Sequence, residues 1–524
     1  MNKKILNSVL TSLSIIFILI LAFLLRSYFF LHHDFYFLVD QARDLLLVKD
    51  IVVDHHITLI GARAGLGGVF HGPLWLYMLI PTFLFSHGDP FWTLVPVFLF
   101  IGLLTVVLAF IIGSKLYSKQ VGLLMALALA VTPTLATSAM SITNAYVMPL
   151  IFLLFLCAAI IFIRGKDKAL VFCLLFIGLG IHFESAFAVF LLPLTVIAFL
   201  LRRKSVEKKY LFYSLVTFLV SVSNFFVFEL RHRFIMSQSL QQLFAGKVEP
   251  LKGYEQYADI GFRISVRMNE LRESYVLFLM QNNTLSKLFI YGVLLAVAVI
   301  VSTNLIKKKK VPQFDKEYIF IFLIPLLYYV IYIFYPMPLW PHYILPITIS
   351  SALLLAISVD RLPKNIWRSV VITALVSMLV VPAVSSLKNT YGIVYQPQND
   401  GSYLSQLTAA NYIYTDAGKK EFGYFVYHPA TFSYNMDYLL WWLGKTKYNI
   451  TPSNQKHALT YLILYTAPVG DKGAYDFWKK NVVRTTGRVV STKTVQGGVT
   501  IEKLMLDPKE QSADPNYYQN LLFR

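Results

Sequence analysis

The sequence predicts a polytopic α-helical membrane protein of about eleven spans, with juxtamembrane helices and a small C-terminal α/β domain outside the membrane. Three observations predict it. The chain is 56% hydrophobic and only 14% charged, whereas soluble chains carry roughly 25% charged residues. Apolar runs of about 20 residues, the length that crosses a bilayer, recur from residue 5 to residue 386 and then stop. Basic residues bunch in the short loops between those runs, as the positive-inside rule produces.

That distribution also disposes of one functional class. A formal charge of +19 would suit a nucleic-acid binder, but here the cations are spent on topology rather than gathered on one surface. The only two cysteines, Cys157 and Cys173, lie inside apolar runs, which argues against a disulfide framework or a thiolate metal site. The first residues, MNKKILNSVLTSLSIIFILILAFLL, have the basic start of a signal peptide. The apolar part is too long and lacks a small-residue cleavage site, so it reads as a retained signal anchor.

The candidate spans are 5–27, 91–113, 121–138, 144–163, 169–182, 186–201, 210–230, 287–306, 317–335, 341–359 and 367–386. The loops holding Lys115 and Lys119, Arg164 to Lys168, Arg202 to Lys209, Lys307 to Lys316 and Arg361 to Arg368 are basic and are expected in the cytoplasm. This puts the N-terminus inside, the C-terminal domain outside, and the loops 28–90 and 231–286 on the outer face of the cytoplasmic membrane. Leu74 to Phe85 is apolar but too short to cross about 30 Å of hydrocarbon at 1.5 Å per residue. It is expected to lie at the outer interface or to re-enter from it. The transmembrane domain is thus 1–386 and the extracytoplasmic domain 387–524. In the latter, EFGYFVY, ALTYLILY, VVRTTGRVVSTKTV and GVTIEKLML read as strands, with a helix around Ser402 to Asp416. Trp441 and Trp442 fit an aromatic patch for sugar or membrane, or buried core, equally well.

The first outer loop concentrates charge beside the bilayer, where charge is costly unless it faces water or a site. Asp34, Asp40, Arg43, Asp44 and Asp50 follow the first span directly. From Asp40 onward their spacing is helical, with Leu45, Leu46 and Val53 on the other side. Two readings compete, the solvated face of an interfacial helix and a reaction centre. Gly61, Gly65, Gly67 and Gly68 do not sit between a strand and a helix, so a flexible loop describes them better than a dinucleotide fingerprint. In the second outer loop, Ile260, Ile264, Met268 and Leu271 share one face of a helix, and Arg263 and Arg267 another. Guanidinium binds phosphate oxygens in a fork, so this helix suits a lipid phosphate, and it suits anionic headgroups as well.

No metal motif has proper spacing, and the adjacent pairs His32–His33 and His55–His56 cannot both face one point on a helix. There is no P-loop, nucleophile elbow or cysteine nucleophile. What remains is a carboxylate beside the membrane with outer cations and aromatics, the parts needed to move a sugar from a lipid phosphate to a hydroxyl.

Three stretches resemble the GT-C glycosyltransferases, specifically the group of dolichyl-phosphate-mannose protein mannosyltransferases and lipid A aminoarabinose transferases. Asp40-Gln41-Ala42-Arg43 sits where that family has its Asp-Glu motif. Phe70-His71-Gly72-Pro73-Leu74-Trp75 resembles its Lys-Pro-Pro or His-Pro-Pro element. Pro341-His342-Tyr343-Ile344-Leu345-Pro346 resembles its Arg-Tyr-Leu-Leu-Pro element. The resemblance covers roughly 1–386. It implies a GT-C fold and transfer from a polyprenyl-phosphate sugar to a protein, lipid or glycan acceptor. It also implies Asp40 as base or acceptor-binding carboxylate, with Gln41 and Arg43 beside it in the catalytic motif. Asp34 and Asp44 flank that motif as further substrate contacts. His71 would lie near the lipid phosphate, and His342, next to Tyr343, takes a position often held by a basic residue. Two departures stand out. Gln41 replaces the usual Glu and removes an acid with any metal role, so no cofactor is required while a divalent cation stays open. Asn144 stands where many relatives carry Asp. His182 and Glu184, on another outer turn, read either as supporting polar groups or as a solvated loop. The rival functions are a transporter or flippase of lipid-linked glycans, which would need ionisable residues in mid-span, and a non-catalytic membrane scaffold.

Overall fold

The computed structural model describes residues 3–27, 31–137, 142–202, 204–245, 253–276, 284–307, 313–394, 400–429, 432–468 and 473–511. Every predicted apolar run falls on a helix. Six helices are long and apolar enough to cross a membrane: Ser8–Arg26, Pro90–Leu116, Asn144–Ile163, Ser185–Arg202, Pro341–Arg361 and Ile366–Ser385. Lys208–Ser221 and Ser223–Arg231, bent by 50° at Val222, make a seventh if taken together. The remaining runs fall on shorter apolar helices at Lys119–Val131, Lys168–Phe183 and Ser286–Val299, and on Gln313–Tyr332.

The expected span 121–138 stops early, at Val131, because Pro133 cannot donate to the helical ladder. Its freed carbonyls receive a buried cation. The Arg26 guanidinium donates to Ala130 O at 2.8 Å and Leu129 O at 3.0 Å. The partial negative charge at a helix C-terminus suits it there. Leu74–Phe85 forms a separate 12-residue helix against Pro90–Leu116. At about 18 Å it stays short of a span, as expected.

The basic loops gather at one end of the bundle. Arg164 forks onto Glu317 at 2.8 and 2.9 Å, Arg202 pairs with Asp167, and Arg368 joins Asp360 at 2.8 Å, which also accepts from Ser118. Residues 308–312, the centre of another basic loop, lie outside the described residues. The three motif-bearing stretches lie at the opposite end.

After the last membrane helix, which continues to Val394, the helix Tyr403–Ala417 leads into a four-stranded sheet. Its strands are β1 (Gly423–Tyr427), β2 (Leu459–Leu464), β3 (Arg488–Thr494) and β4 (Thr500–Met505), in the order β1-β2-β4-β3. β1 and β2 pair in parallel, with Gly423 opposite Thr460, and the other pairs are antiparallel. One face closes over its own small core of Phe425, Leu462, Trp478 and Leu504. The other, with Tyr424, Val426, Tyr461 and Ile463, merges into the core that runs down between the membrane helices.

The joint is built by the first inter-helix segment. Phe37 N donates to Gly401 O and Tyr403 N to Phe35 O, both at 2.9 Å. Asp34 accepts from Ser402 Oγ at 2.7 Å, Leu404 N at 3.1 Å and Phe35 N at 2.9 Å. Tyr438 OH and Trp442 Nε1 donate to the carbonyls of Gly88 and His87. The sheet region is therefore seated on the motif-bearing end.

Candidate functional site

The site begins with the helix Val39–Val52. Gln41 caps its start: its Oε1 accepts from Leu38 N at 3.0 Å, and its Nε2 donates to Ile142 O at 3.1 Å. The amide ties backbone to backbone and is wholly buried. Beyond it, the expected division into a charged face and an apolar face fails. Asp44 and Asp50 are buried, while Val53 is exposed. Burial is tolerable for Asp44 because its two oxygens are both engaged. Oδ1 accepts from Arg43 Nε at 3.1 Å and Nη2 at 2.9 Å, and Oδ2 accepts from Trp75 Nε1 at 2.8 Å. Burial pushes this carboxyl above its usual range, and Arg43 and Trp75 pull it back. The other end of the same guanidinium, Nη1, meets Asp40 Oδ1 at 2.7 Å. The Asp40 side chain remains 59% exposed, against 1% for Asp44.

The glycine-rich stretch, expected as a flexible loop, is a compact hairpin. Gly61 N donates to His71 O at 2.8 Å, His71 N to Ala62 O at 2.9 Å and Ala64 N to Val69 O at 2.8 Å, with the turn closed by Val69 N on Leu66 O. Its glycines serve packing. A Cβ on Gly72 would lie 2.0 Å from His182 Nδ1, and one on Gly61 would lie 2.4 Å from Gly72 O. The hairpin is held from outside by Phe70 on Phe228. At its base His71 is buried, and burial, then Arg43 and His342, drive its pKa down to about 3. The imidazole is therefore neutral at physiological pH and can offer an N–H or a lone pair, not a charge.

The third motif adjoins the site. Pro341 opens a short turn of helix, and His342 packs edge-on against Tyr343 with ring centroids 4.5 Å apart. His342 is exposed and lies within electrostatic reach of Asp40 and His71. Tyr343 is buried, with its hydroxyl 3.1 Å from where a Cβ on Gly65 would be. Thus Asp40, Arg43, Asp44, His71, His342 and Tyr343, drawn from three separated stretches, converge.

The other predicted residues fall around this centre in different roles. Glu184 is 2% exposed and accepts from Ala186 N at 3.3 Å. Burial pushes its carboxyl up to about 8. It lies within electrostatic reach of Tyr328, Tyr332, Tyr335 and Tyr343, which makes it an interior group rather than part of a solvated loop. His182 is also buried and its Nε2 meets Ser221 O at 2.8 Å. The helix Ile260–Ser274 has the two expected faces, but its arginines are not turned out toward a lipid phosphate. Ile260, Ile264 and Met268 are exposed, and the arginine face packs inward. Arg267, 1% exposed, donates to Glu270 at 2.9 Å, Met337 O at 2.7 Å and Tyr332 O at 3.3 Å. It pins the segment leading into Pro341 and has little left for a phosphate. Arg263 donates to Tyr257 O at 3.2 Å. Asp34 serves the joint described above. Among the described residues no three His, Cys, Asp or Glu side chains are grouped to hold a metal ion.

Two groups at the site carry no sequence motif of their own. Trp75 had been only the tail of the second motif, and Tyr434, from the C-terminal region, lies within electrostatic reach of Arg43. Lys49 of the same helix sits 5.8 Å over the Trp441 ring, so that tryptophan belongs to the contact between the C-terminal region and the site helix.

The helical bundle, the seated sheet and the converging motifs give a multi-pass membrane protein with the GT-C fold. Residues 71–228 match the model of the dolichyl-phosphate-mannose-protein mannosyltransferase family. Among solved structures, apo ArnT from Cupriavidus metallidurans superposes with a TM-score of 0.58 at 10% identity, covering 95% of this chain and 98% of that one. The same protein bound to undecaprenyl phosphate gives 0.56 at 11% identity, covering 94% and 97%. No curated protein matches the chain by sequence.

Proposed function

We propose that the chain is an integral membrane glycosyltransferase. It moves a sugar from a polyprenyl-phosphate donor to a protein, lipid or glycan acceptor on the outer side of the cytoplasmic membrane, with its N-terminus inside and its C-terminal region outside. The observation that carries the reading is the convergence of Asp40, Arg43, His71 and His342 at the end of a GT-C bundle away from the basic loops. ArnT, which shares the fold, has been solved with undecaprenyl phosphate bound, and this supports a lipid phosphate as the donor's anchor.

In this reading Asp40 accepts the proton of an acceptor hydroxyl. The oxygen attacks the anomeric carbon as the bond from that carbon to the phosphate oxygen breaks. The electron pair departs with the polyprenyl phosphate, and a single in-line displacement inverts the anomeric centre. In the same reading Arg43, an N–H of His71 and His342 meet the charge that develops on the leaving group. Open exposure of Asp40 suits a base that must reach an incoming hydroxyl. Addition of Mg2+ or a chelator to the same assay decides whether a divalent cation takes part.

The test is Asp40→Asn in proteoliposomes supplied with polyprenyl-phosphate sugars. Transfer is expected to fall by at least about 100-fold, the contribution of a general base, with insertion and unfolding temperature unchanged. Full activity in this variant removes Asp40 as the base.

A further inference from the structure

A guanidinium has two usable edges, and in Arg43 they face different environments. The Nε–Nη2 edge is forked onto Asp44, at 3.1 and 2.9 Å, and Asp44 is 1% exposed. Its second oxygen is held by Trp75 from another helix, so the pairing is braced from both sides. The Nη1 end meets Asp40, whose side chain is mostly in water. A sealed, doubly hydrogen-bonded pair is costly to break, whereas a single bond to an exposed carboxylate is worth little. The arrangement is one-sided, with a fixed edge and an exchangeable one.

We propose that Arg43 is a switch shared by Asp40 and the donor phosphate, and that Asp44 and Trp75 are positioning residues that let only its Nη1 end change partners. The proposal rests on the glycosyltransferase reading. The titratable groups facing Arg43 are Asp40 and Asp44 on its own helix, His71 on the hairpin and Tyr434 from the C-terminal region, while His342 faces Asp40. Apart from the two aspartates none is an acid of the carboxylate class. An arriving donor phosphate, a phosphodiester with one negative charge, therefore competes with Asp40 alone for the exposed end. No covalent bond changes in this step, since one hydrogen bond and ion pair is exchanged for another. While Nη1 holds Asp40 Oδ1, that oxygen is occupied. When Nη1 turns to the phosphate, Oδ1 is free to accept from the acceptor hydroxyl, so the carboxylate is fully available only while donor is bound.

The measurement is binding of undecaprenyl phosphate to the purified full-length protein in zwitterionic nanodiscs near pH 7. Removing the competitor by Asp40→Asn is expected to tighten binding about two- to fivefold, the range an exposed ion pair supports, although this variant no longer transfers sugar. Asp44→Asn and Trp75→Phe are expected to weaken binding about tenfold and about threefold. The tightening by Asp40→Asn is expected to disappear in the Asp40→Asn, Asp44→Asn double variant. A purely structural role for these residues would move the unfolding temperature but would not tighten binding. Unchanged or weaker binding by Asp40→Asn, with wild-type protein binding normally, overturns the switch. Wild-type protein that does not bind undecaprenyl phosphate overturns the glycosyltransferase reading beneath it.

Discussion

Glu184 illustrates how a single buried acid writes itself into pH dependence. Burial raises its carboxyl from an ordinary 4.5 to about 8, so the folded state holds a proton there that the unfolded chain has lost. Stability from this group is complete below about pH 4.5 and is lost as pH rises toward 8. His71 works the other way. Its pKa, lowered from 6.5 to about 3, means that the unfolded chain takes up the proton first, so stability falls as pH drops below about 6.5. The two together predict a stability maximum between, and Glu184→Gln should flatten the alkaline side. Thermal unfolding across pH 5 to 9 checks this, and an unchanged alkaline slope in the variant would dismiss the role of Glu184. Which residues meet at the candidate site was partly legible beforehand. Asp40 and Arg43 stand out because charge beside an apolar segment is expensive without a purpose, and His71 stood out only through the family resemblance. The burial of Asp44 was not legible, because its partner Trp75 arrives from 31 residues away.

The helix Ile260–Ser274 shows the limit of periodicity. Its pattern correctly gives an amphipathic helix with apolar and arginine faces. For a helix in water the apolar face would turn inward, yet beside a membrane the rule can invert, since lipid accepts Ile260, Ile264 and Met268 and the protein interior accepts a paired arginine. The consequence is a separable outcome. Arg267→Met removes bonds to Glu270, Met337 and Tyr332 and should destabilise by about 3 kcal/mol, as breaking a buried ion pair does. At a temperature where the variant stays folded, undecaprenyl phosphate affinity should hold within about twofold. A tenfold loss of affinity would return Arg267 to the phosphate site. The glycine run teaches the same lesson. Four glycines in a short stretch suggest mobility, but here Gly61 and Gly68 are small because the Gly72 carbonyl and Ser239 sit against them.

Across the whole molecule the membrane bundle and the C-terminal sheet share one core, and Asp34 is the clasp. Asp34→Ala would free Ser402 and Leu404 and is expected to cost about 1–3 kcal/mol. Faster proteolysis in the segment preceding Tyr403 would report it. Equal protease resistance would show that the aromatic contacts of Phe35 and Phe37 with Tyr403 suffice alone. The seat matters for function because the C-terminal helix Tyr434–Leu443 lies against Val39–Val52, so loosening it loosens the helix that carries Asp40 and Arg43.

The amino-acid order alone determined the apolar helices, the strands after residue 420 and the short helix at Leu74, each written in local hydrophobicity or propensity. The three motif stretches were marked by their resemblance to a family, and how many of the apolar helices cross as full spans was not legible, since six reach that length, or seven with the bent pair. Only the tertiary structure decided that Asp44 is sealed while Asp40 is open, that Arg267 faces inward, that Asp34 holds Ser402 and Leu404, and that Gln41 ties Leu38 to Ile142. Those outcomes depend on which distant donor or acceptor fills each valence, and hydrogen-bond partners tens to hundreds of residues apart leave no periodic trace in the chain.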